Sequence, residues 1–235
     1  MIRLLVCLIS WIICSIPAAV IGFPALFITG RVDLLWKLSL WGARTGYRLV
    51  GIRVRCVGYE RLQEGKSYFF IANHTSNLDP PVITPLLGRR VSIMAKEELF
   101  RIPIFGTAMR AVGFVSVNRK DRSAAAIREA VRVLQSGRGM LAFPEGTRSL
   151  DGRLLPFKKG PFHLAMEAGI PVAPITITGS YEAWPKGSFK LRPSELTVHF
   201  HEPIDPHQFS NREELLCAVR EAIDSALPEA YRVGR

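Results

Sequence analysis

The pattern of hydrophobic and polar positions changes near residue 50. Residues 4–28 are mostly apolar and contain no charged side chain, and about 20 apolar residues suffice to cross the hydrocarbon core of a bilayer as a helix. From there to residue 49, apolar side chains are interleaved with Lys37, Arg44 and Arg48, which is typical of a helix lying at the lipid head groups. The pattern predicts membrane-attachment helices over residues 1–50.

Two prolines and the flanking charges refine this prediction. Pro17 and Pro24 interrupt the apolar stretch and are expected to bend or break it, which leaves open whether the helix spans the membrane or returns to the same side. The basic residues Arg31 and Lys37 follow the apolar stretch. Because cytoplasmic flanks are enriched in Lys and Arg, the remainder of the chain is predicted to lie in the cytoplasm.

From residue 51 onward, short β-type patterns alternate with helical ones. Strands are predicted at residues 52–58, 67–72, 91–95, 114–118, 139–143, 172–177 and 196–201, and helices at 123–137, 161–169 and 211–226, with one or two short helices within 97–112. This alternation predicts an α/β domain over residues 51–235, with a mixed, largely parallel sheet flanked by helices. In such sheets, binding sites collect at the loops that leave the carboxyl ends of the strands.

Charge and composition narrow the classes of partner. The formal net charge is +11, which favours nucleic acid, acidic lipid head groups or phosphate-bearing metabolites. The four cysteines follow no ligand spacing, and His199 and His201 share a strand face without a third candidate ligand, so no metal site is predicted.

The stretch "NHTSNLD", residues 73–79, follows a predicted strand. His74 and Asp79 would lie roughly 140° apart on a helix, so they can pair only if the loop folds back. In that arrangement the carboxylate orients the imidazole as a general base. Neither a "GxSxG" motif nor a nearby cysteine supplies a nucleophile, so the base would act on a hydroxyl of the substrate itself. The alternative is an N-cap Asp79, with Pro80 at the first helical position, beside a surface histidine.

A second polar stretch, "FPEGTRS" at residues 143–149, also follows a predicted strand. Backbone amides around Gly146, the Thr147 hydroxyl and the Arg148 guanidinium suit a phosphate group. Glu145 could bind a substrate hydroxyl or brace Arg148; the alternative is a tight turn with a solvated salt bridge. Arg119 closes a further strand-like stretch, "GFVSVNR".

These stretches, in order and together with "IPVAPITI" at residues 170–177, resemble the four sequence blocks of the glycerolipid acyltransferase family, in particular the 1-acyl-glycerol-3-phosphate acyltransferases. The resemblance implies that His74 is the general base and that Asp79 orients it. It also implies that five residues hold the glycerol phosphate of the acceptor: Arg119, Glu145, Gly146, Thr147 and Arg148.

The implied reaction transfers a fatty acyl group to the sn-2 hydroxyl of lysophosphatidic acid and gives phosphatidic acid for phospholipid synthesis. The acyl donor would be acyl-CoA or acyl-carrier-protein, with no permanently bound cofactor and no metal. The expected partners are membrane lipids rather than nucleic acid, and the expected location is the cytoplasmic side of the inner or plasma membrane.

Three other readings remain at this stage. The same chemistry could act on a different lysolipid. A membrane-anchored lipid hydrolase could also use His and Asp, but it would need a nucleophile or a metal set. A binding module for acidic lipid or nucleic acid would account for the net charge but not for the two polar stretches.

Overall fold

The computed structural model of the chain describes residues 2–88, 90–103, 105–117 and 124–232. Within these ranges, seven strands form one sheet: β1 (Ile52–Val57), β2 (Phe69–Ala72), β3 (Val91–Lys96), β4 (Val115–Val117), β5 (Gly139–Ala142), β6 (Val172–Thr178) and β7 (Ser194–Phe200). The strand order is β1-β7-β6-β2-β5-β3-β4. Only the β6–β7 pair is antiparallel, so the predicted mixed, largely parallel sheet is confirmed.

The α-helices of the described ranges account for the remaining predicted elements. They are α1 (Ile2–Pro17), α2 (Phe23–Thr29), α3 (Asp33–Leu49), α4 (Asp79–Leu86), α5 (Glu97–Phe100), α6 (Phe105–Ala111), α7 (Ala124–Gln135), α8 (Gly160–Ala168), α9 (Ser180–Ala183) and α10 (Arg212–Ser225). The short α9 is the one α-helix among them that the sequence pattern did not predict.

The two N-terminal prolines do not end the apolar helix. A π-helical turn, Ala18–Gly22, lies between Pro17 and Pro24 and joins α1 to α2. The combined helical stretch, Ile2–Thr29, is 28 residues long and apolar enough to cross a membrane by length and composition. It ends at Gly30, whose φ of 67° provides the left-handed turn that commonly closes a helix.

Helix α3 runs back along α1 and α2, and the three form a helical hairpin. Gly42 faces Cys14, and Gly46, one turn later in α3, faces Trp11, about one turn earlier in α1. The two helices are therefore antiparallel. The outer face of the hairpin is apolar and exposed, as expected for contact with lipid. Its exposed large apolar side chains are Ile2, Leu5, Val6, Leu8, Ile9, Ile12, Ile13, Ile16, Val20, Ile21, Phe27 and Ile28, and in α3 Leu34, Trp41 and Leu49.

The sheet separates two hydrophobic clusters because successive side chains of a strand point to opposite faces. Phe70 and Ala72 of β2 pack with the hairpin and α4, whereas Phe69 and Ile71 pack with α7, α8 and α10. The division at residue 50 between attachment helices and catalytic domain stays a prediction. The hairpin shares one continuous core with the sheet, since Leu4 belongs to the first cluster.

Candidate active site

The two polar stretches meet at the carboxyl ends of two neighbouring central strands, β2 and β5. Strand β2 pairs in parallel with β5, so the loops that leave their carboxyl ends lie side by side. The backbone carbonyl of His74 accepts a hydrogen bond from the Ser149 amide at 2.9 Å. The His74 amide donates to Oε1 of Glu145 at 2.6 Å. Two hydrogen bonds therefore clamp His74 onto the second loop.

Asp79 is not the N-cap of α4; Leu78 holds that position and Asp79 is the first helical residue. An N-cap side chain binds the amide of the second or third helical residue; for Asp79 these would be Pro81, which has no N–H, and Val82, whose amide donates to the Leu78 carbonyl at 3.0 Å. The Asp79 carboxylate therefore turns back into its own loop. Its Oδ2 accepts from the amides of Thr75 and Ser76, both at 2.8 Å.

The same oxygen of Asp79 lies 2.7 Å from Nδ1 of His74, so the loop folds back as the dyad requires. Asp79 is fully buried, whereas the His74 side chain is 18% exposed. The imidazole stacks on the Phe143 ring with centroids 4.2 Å apart. Within the described residues Nε2 makes no hydrogen bond. With Nδ1–H donated to the carboxylate, Nε2 carries the lone pair that can take a proton.

The hydroxyl groups beside His74 are already engaged in holding the loop. Ser76 Oγ donates to the Trp184 carbonyl at 2.8 Å, and Thr75 Oγ1 lies 2.9 Å from Ser180 Oγ. Both residues are buried. Neither hydroxyl is therefore placed as a nucleophile for His74 to activate.

Glu145 lies under the loop with its carboxyl group buried. Its second oxygen, Oε2, accepts from the Leu155 amide at 3.0 Å, so each carboxyl oxygen binds one backbone N–H. Burial raises the pKa of Glu145 from 4.5 to about 7, although the two amide hydrogen bonds act in the opposite direction. Glu145 thus braces the backbone of His74 rather than the Arg148 side chain.

The turn at Gly146–Arg148 presents cationic groups. Arg148 Nη1 donates to Oδ1 of Asn77, which ties the guanidinium to the loop that carries His74. Gly146 has a φ of 70°, and a Cβ at this position would lie 2.7 Å from Lys158 Nζ. A side chain at residue 146 would be strained in backbone conformation and would meet this lysine.

Two further residues complete the account of the sequence predictions. Arg119 lies outside the described residues. Asn73, which the sequence analysis did not assign to the site, donates through Nδ2 to the Ile177 carbonyl at 2.9 Å and accepts from the Ile177 amide at 2.8 Å. Its side chain thereby continues the pairing of β2 with β6 to the residue before His74. The sequence feature that could have identified Asn73 is its position, since it is an asparagine directly after a buried strand.

Comparisons with known proteins identify the family to which the chain is similar. Residues 53–178 match the family model described as Acyltransferase. A 1-acyl-sn-glycerol-3-phosphate acyltransferase of Limnanthes douglasii is 37% identical over 160 residues, which cover 67% of this chain and 56% of the relative. One of Borreliella burgdorferi is 30% identical, covering 80% of this chain and 74% of the relative. The chain thus spans about half the length of the plant relative.

A solved structure shows the same architecture. The crystal structure of the 1-acyl-sn-glycerophosphate acyltransferase from Thermotoga maritima superposes with a TM-score of 0.81 at 31% identity. The match covers 94% of this chain and 92% of that chain. The similarity therefore extends over the N-terminal hairpin as well as the sheet.

Proposed function

Because the chain belongs to the 1-acyl-sn-glycerol-3-phosphate acyltransferase family, we propose that it transfers a fatty acyl group from a thioester to the sn-2 hydroxyl of lysophosphatidic acid. The product is phosphatidic acid. The donor is acyl-CoA or acyl-carrier-protein, and no resident cofactor takes part. One observation carries this proposal: His74 is oriented by Asp79 through Nδ1 at 2.7 Å while Nε2 has no hydrogen-bond partner in the described part of the chain.

The reaction proceeds by direct attack of the acceptor on the donor. His74 Nε2 takes the proton from the acceptor hydroxyl as its oxygen attacks the thioester carbonyl. The Asp79 carboxylate faces the imidazolium that forms and stabilises its charge. As the tetrahedral intermediate collapses, the C–S bond breaks and the thiol leaves with the proton from His74. No ester to the protein forms, in agreement with the engaged hydroxyls of Thr75 and Ser76.

The acceptor phosphate binds at the turn formed by Gly146, Thr147 and Arg148. Arg148 is supported by its hydrogen bond to Asn77, and a guanidinium binds phosphate oxygens in pairs. Arg119 belongs to this binding set through the family resemblance. Glu145 contributes by fixing the His74 backbone relative to the turn, so that the phosphate and the reacting hydroxyl are held in one geometry.

The acyl chains remain in the membrane during the reaction. The exposed apolar face of α1 and α2 attaches the protein to lipid. The hairpin packs near the site, since the centroid of the Trp11 ring lies 6.5 Å from that of Trp184, whose carbonyl accepts from Ser76 Oγ. The catalytic domain faces the cytoplasm, because Arg31 and Lys37 flank the apolar stretch on this side.

The test is the His74→Ala variant of the full chain, purified in detergent and assayed with a panel of lysolipids against acyl-CoA and acyl-carrier-protein. Removal of the general base should lower the rate by about 10²–10⁴-fold. The control is His163→Ala, an exposed histidine of α8 that pairs with Glu167. Products are resolved by mass. His74→Ala activity close to that of the wild type would refute the proposed mechanism, and hydrolysis of a lysolipid without a thioester would indicate a hydrolase instead.

A further inference from the structure

The loop of residues 184–192 holds Lys186 against the site. Pro185 forms an antiparallel bridge with Ser76, and the Trp184 carbonyl accepts from Ser76 Oγ at 2.8 Å. The Trp184 indole closes the loop on itself by donating to the Ser188 carbonyl at 2.8 Å. The backbone directly before Lys186 is therefore attached to the loop that carries His74, and the hydrogen bond from the Trp184 indole fixes the backbone directly after it.

The side chain of Lys186 reaches the proposed phosphate turn. Its Nζ donates to Thr147 Oγ1 at 2.9 Å and lies 3.4 Å from the Arg148 carbonyl. An ammonium group has three donors, so one remains for a further acceptor. These two contacts place the ammonium group at the backbone of Arg148.

The charges at this turn lack a counterpart in the described part of the chain. Arg148, Lys158 and Lys186 all lie at the Gly146–Arg148 turn, and none of them makes an ion pair with a described carboxylate. The nearest acid in sequence, Glu145, directs both oxygens at backbone amides. Like charges gathered in this way repel one another, and a bound dianion would relieve the repulsion.

Resting on the proposed function, we infer that Lys186 is a substrate-binding residue that makes the site select a phosphomonoester over a phosphodiester. A phosphomonoester carries about −1.5 to −2 charges at pH 7 and three acceptor oxygens. A lysophosphodiester carries a single negative charge and has one oxygen blocked by its second ester. Arg148 binds two oxygens of either group, and Lys186 binds the third oxygen that only the monoester offers.

Binding of two soluble probes to the full chain in detergent tests this inference without relying on turnover. The probes are dodecyl phosphate and its methyl diester, measured by isothermal titration calorimetry. Lys186→Ala should weaken binding of the monoester about tenfold and that of the diester less than about threefold. Lys186→Arg should retain the preference. Lys190→Ala is the matched control, because this exposed lysine lies in the same loop and its side chain makes no hydrogen bond among the described residues.

Kinetics provide the second readout. Lys186→Ala should raise KM for lysophosphatidic acid about tenfold while kcat stays within about twofold, with an unchanged unfolding temperature. Equal weakening of both probes, no weakening of either, or loss of kcat alone would overturn the assignment of Lys186. The proposed function has its own test: it is refuted if the wild-type chain acylates no lysolipid from any thioester. In that case the probe titrations still decide whether Lys186 binds phosphomonoesters.

Discussion

At the scale of single residues, the site contrasts two buried carboxyl groups on either side of His74. One oxygen of Asp79 collects two backbone amides and the imidazole, whereas the two oxygens of Glu145 bind one backbone amide each. Since a carboxylate is stabilised by donors directed at it, Asp79 suits the partner of a developing imidazolium. Glu145 suits a structural brace.

Glu145 should make the stability of the protein depend on pH. In the unfolded chain this carboxyl group ionises near its ordinary value of 4.5, but in the folded protein it keeps its proton up to about pH 7. Between these values the folded state binds more protons, so the free energy of unfolding falls as pH rises. The contribution of the raised pKa is fully present below pH 4.5 and is lost above about pH 7.

The variant Glu145→Gln removes the titrating group and should flatten this dependence. Between pH 4.5 and 8 the wild type should lose up to about 3 kcal/mol relative to the variant. The variant should be less stable at low pH, because a side-chain amide can accept from His74 N through its oxygen but its nitrogen cannot accept from Leu155 N. Denaturant unfolding in detergent at several pH values measures both effects. Parallel stability curves for the two proteins would contradict the assignment.

At the scale of elements, glycines in α3 determine how closely it approaches α1. A Cβ at Gly46 would lie 1.9 Å from Cδ1 and Nε1 of the Trp11 ring, whereas one at Gly42 would lie 3.0 Å from the Cys14 Cβ. The Trp11 ring also contacts Trp184. The Trp11 ring packed between these two helices therefore also contacts the first residue of the loop that carries Lys186.

The variant Gly46→Ala should push the two helices apart. Overpacking costs about 1–3 kcal/mol, and the gain in helix propensity offsets about 1 kcal/mol of this. A net loss of up to about 2 kcal/mol and a fall in unfolding temperature of up to about 8 °C are therefore expected. Gly42→Ala adds the same methyl group one turn away, with a nearest contact of 3.0 Å, and should cost less. Thermal unfolding in one detergent compares the two variants. An equal or smaller effect at Gly46 would show that Trp11 moves aside freely.

At the scale of the whole molecule, the hairpin attaches the protein to lipid with its outer face and packs against one face of the sheet with its inner face. Arg44 of α3 donates to the Pro85 carbonyl of α4 at 2.6 Å, and Trp36 lies edge-on to Phe114. Since α4 begins at Asp79, the hairpin supports the helix that carries one half of the dyad.

A chain truncated to residues 51–235 should therefore not fold as an independent domain. It would expose Leu78, Val82 and Ile83, which are fully buried against the hairpin side of the sheet, and each such exposure costs about 1.5–3 kcal/mol. Exposing three such side chains costs about 4.5–9 kcal/mol in total. This is comparable to the whole free energy of unfolding of a typical domain, about 5–15 kcal/mol. Circular dichroism melting and acylation assays of the truncated and full chains in the same detergent test this. A cooperative, active truncated chain would establish residue 50 as a true domain boundary.

The sequence predicted the order of strands and helices because local periodicity reflects which faces are buried. It also indicated that His74 and Asp79 could pair only if their loop folds back, since no helix could bring them together, and it left an N-cap Asp79 beside a surface histidine as the alternative. The alternative, an N-cap Asp79, was one position late, because the N-cap is Leu78, whose carbonyl accepts from the Val82 amide. The division of roles between Asp79 and Glu145 could not be predicted, because it depends on which backbone amides point at each carboxyl group.

By itself, the sequence determined the apolar N-terminal helices, the alternation of elements, and the residue types of the His74–Asp79 pair and of the turn proposed to bind phosphate, because these depend on neighbours along the chain. Only the tertiary structure decided that α3 runs back along α1, that Asn73 binds Ile177, and that Lys186 reaches Thr147 from 39 positions away. Contacts of that range are set by strand order and loop docking, and no local pattern in an amino-acid sequence encodes them.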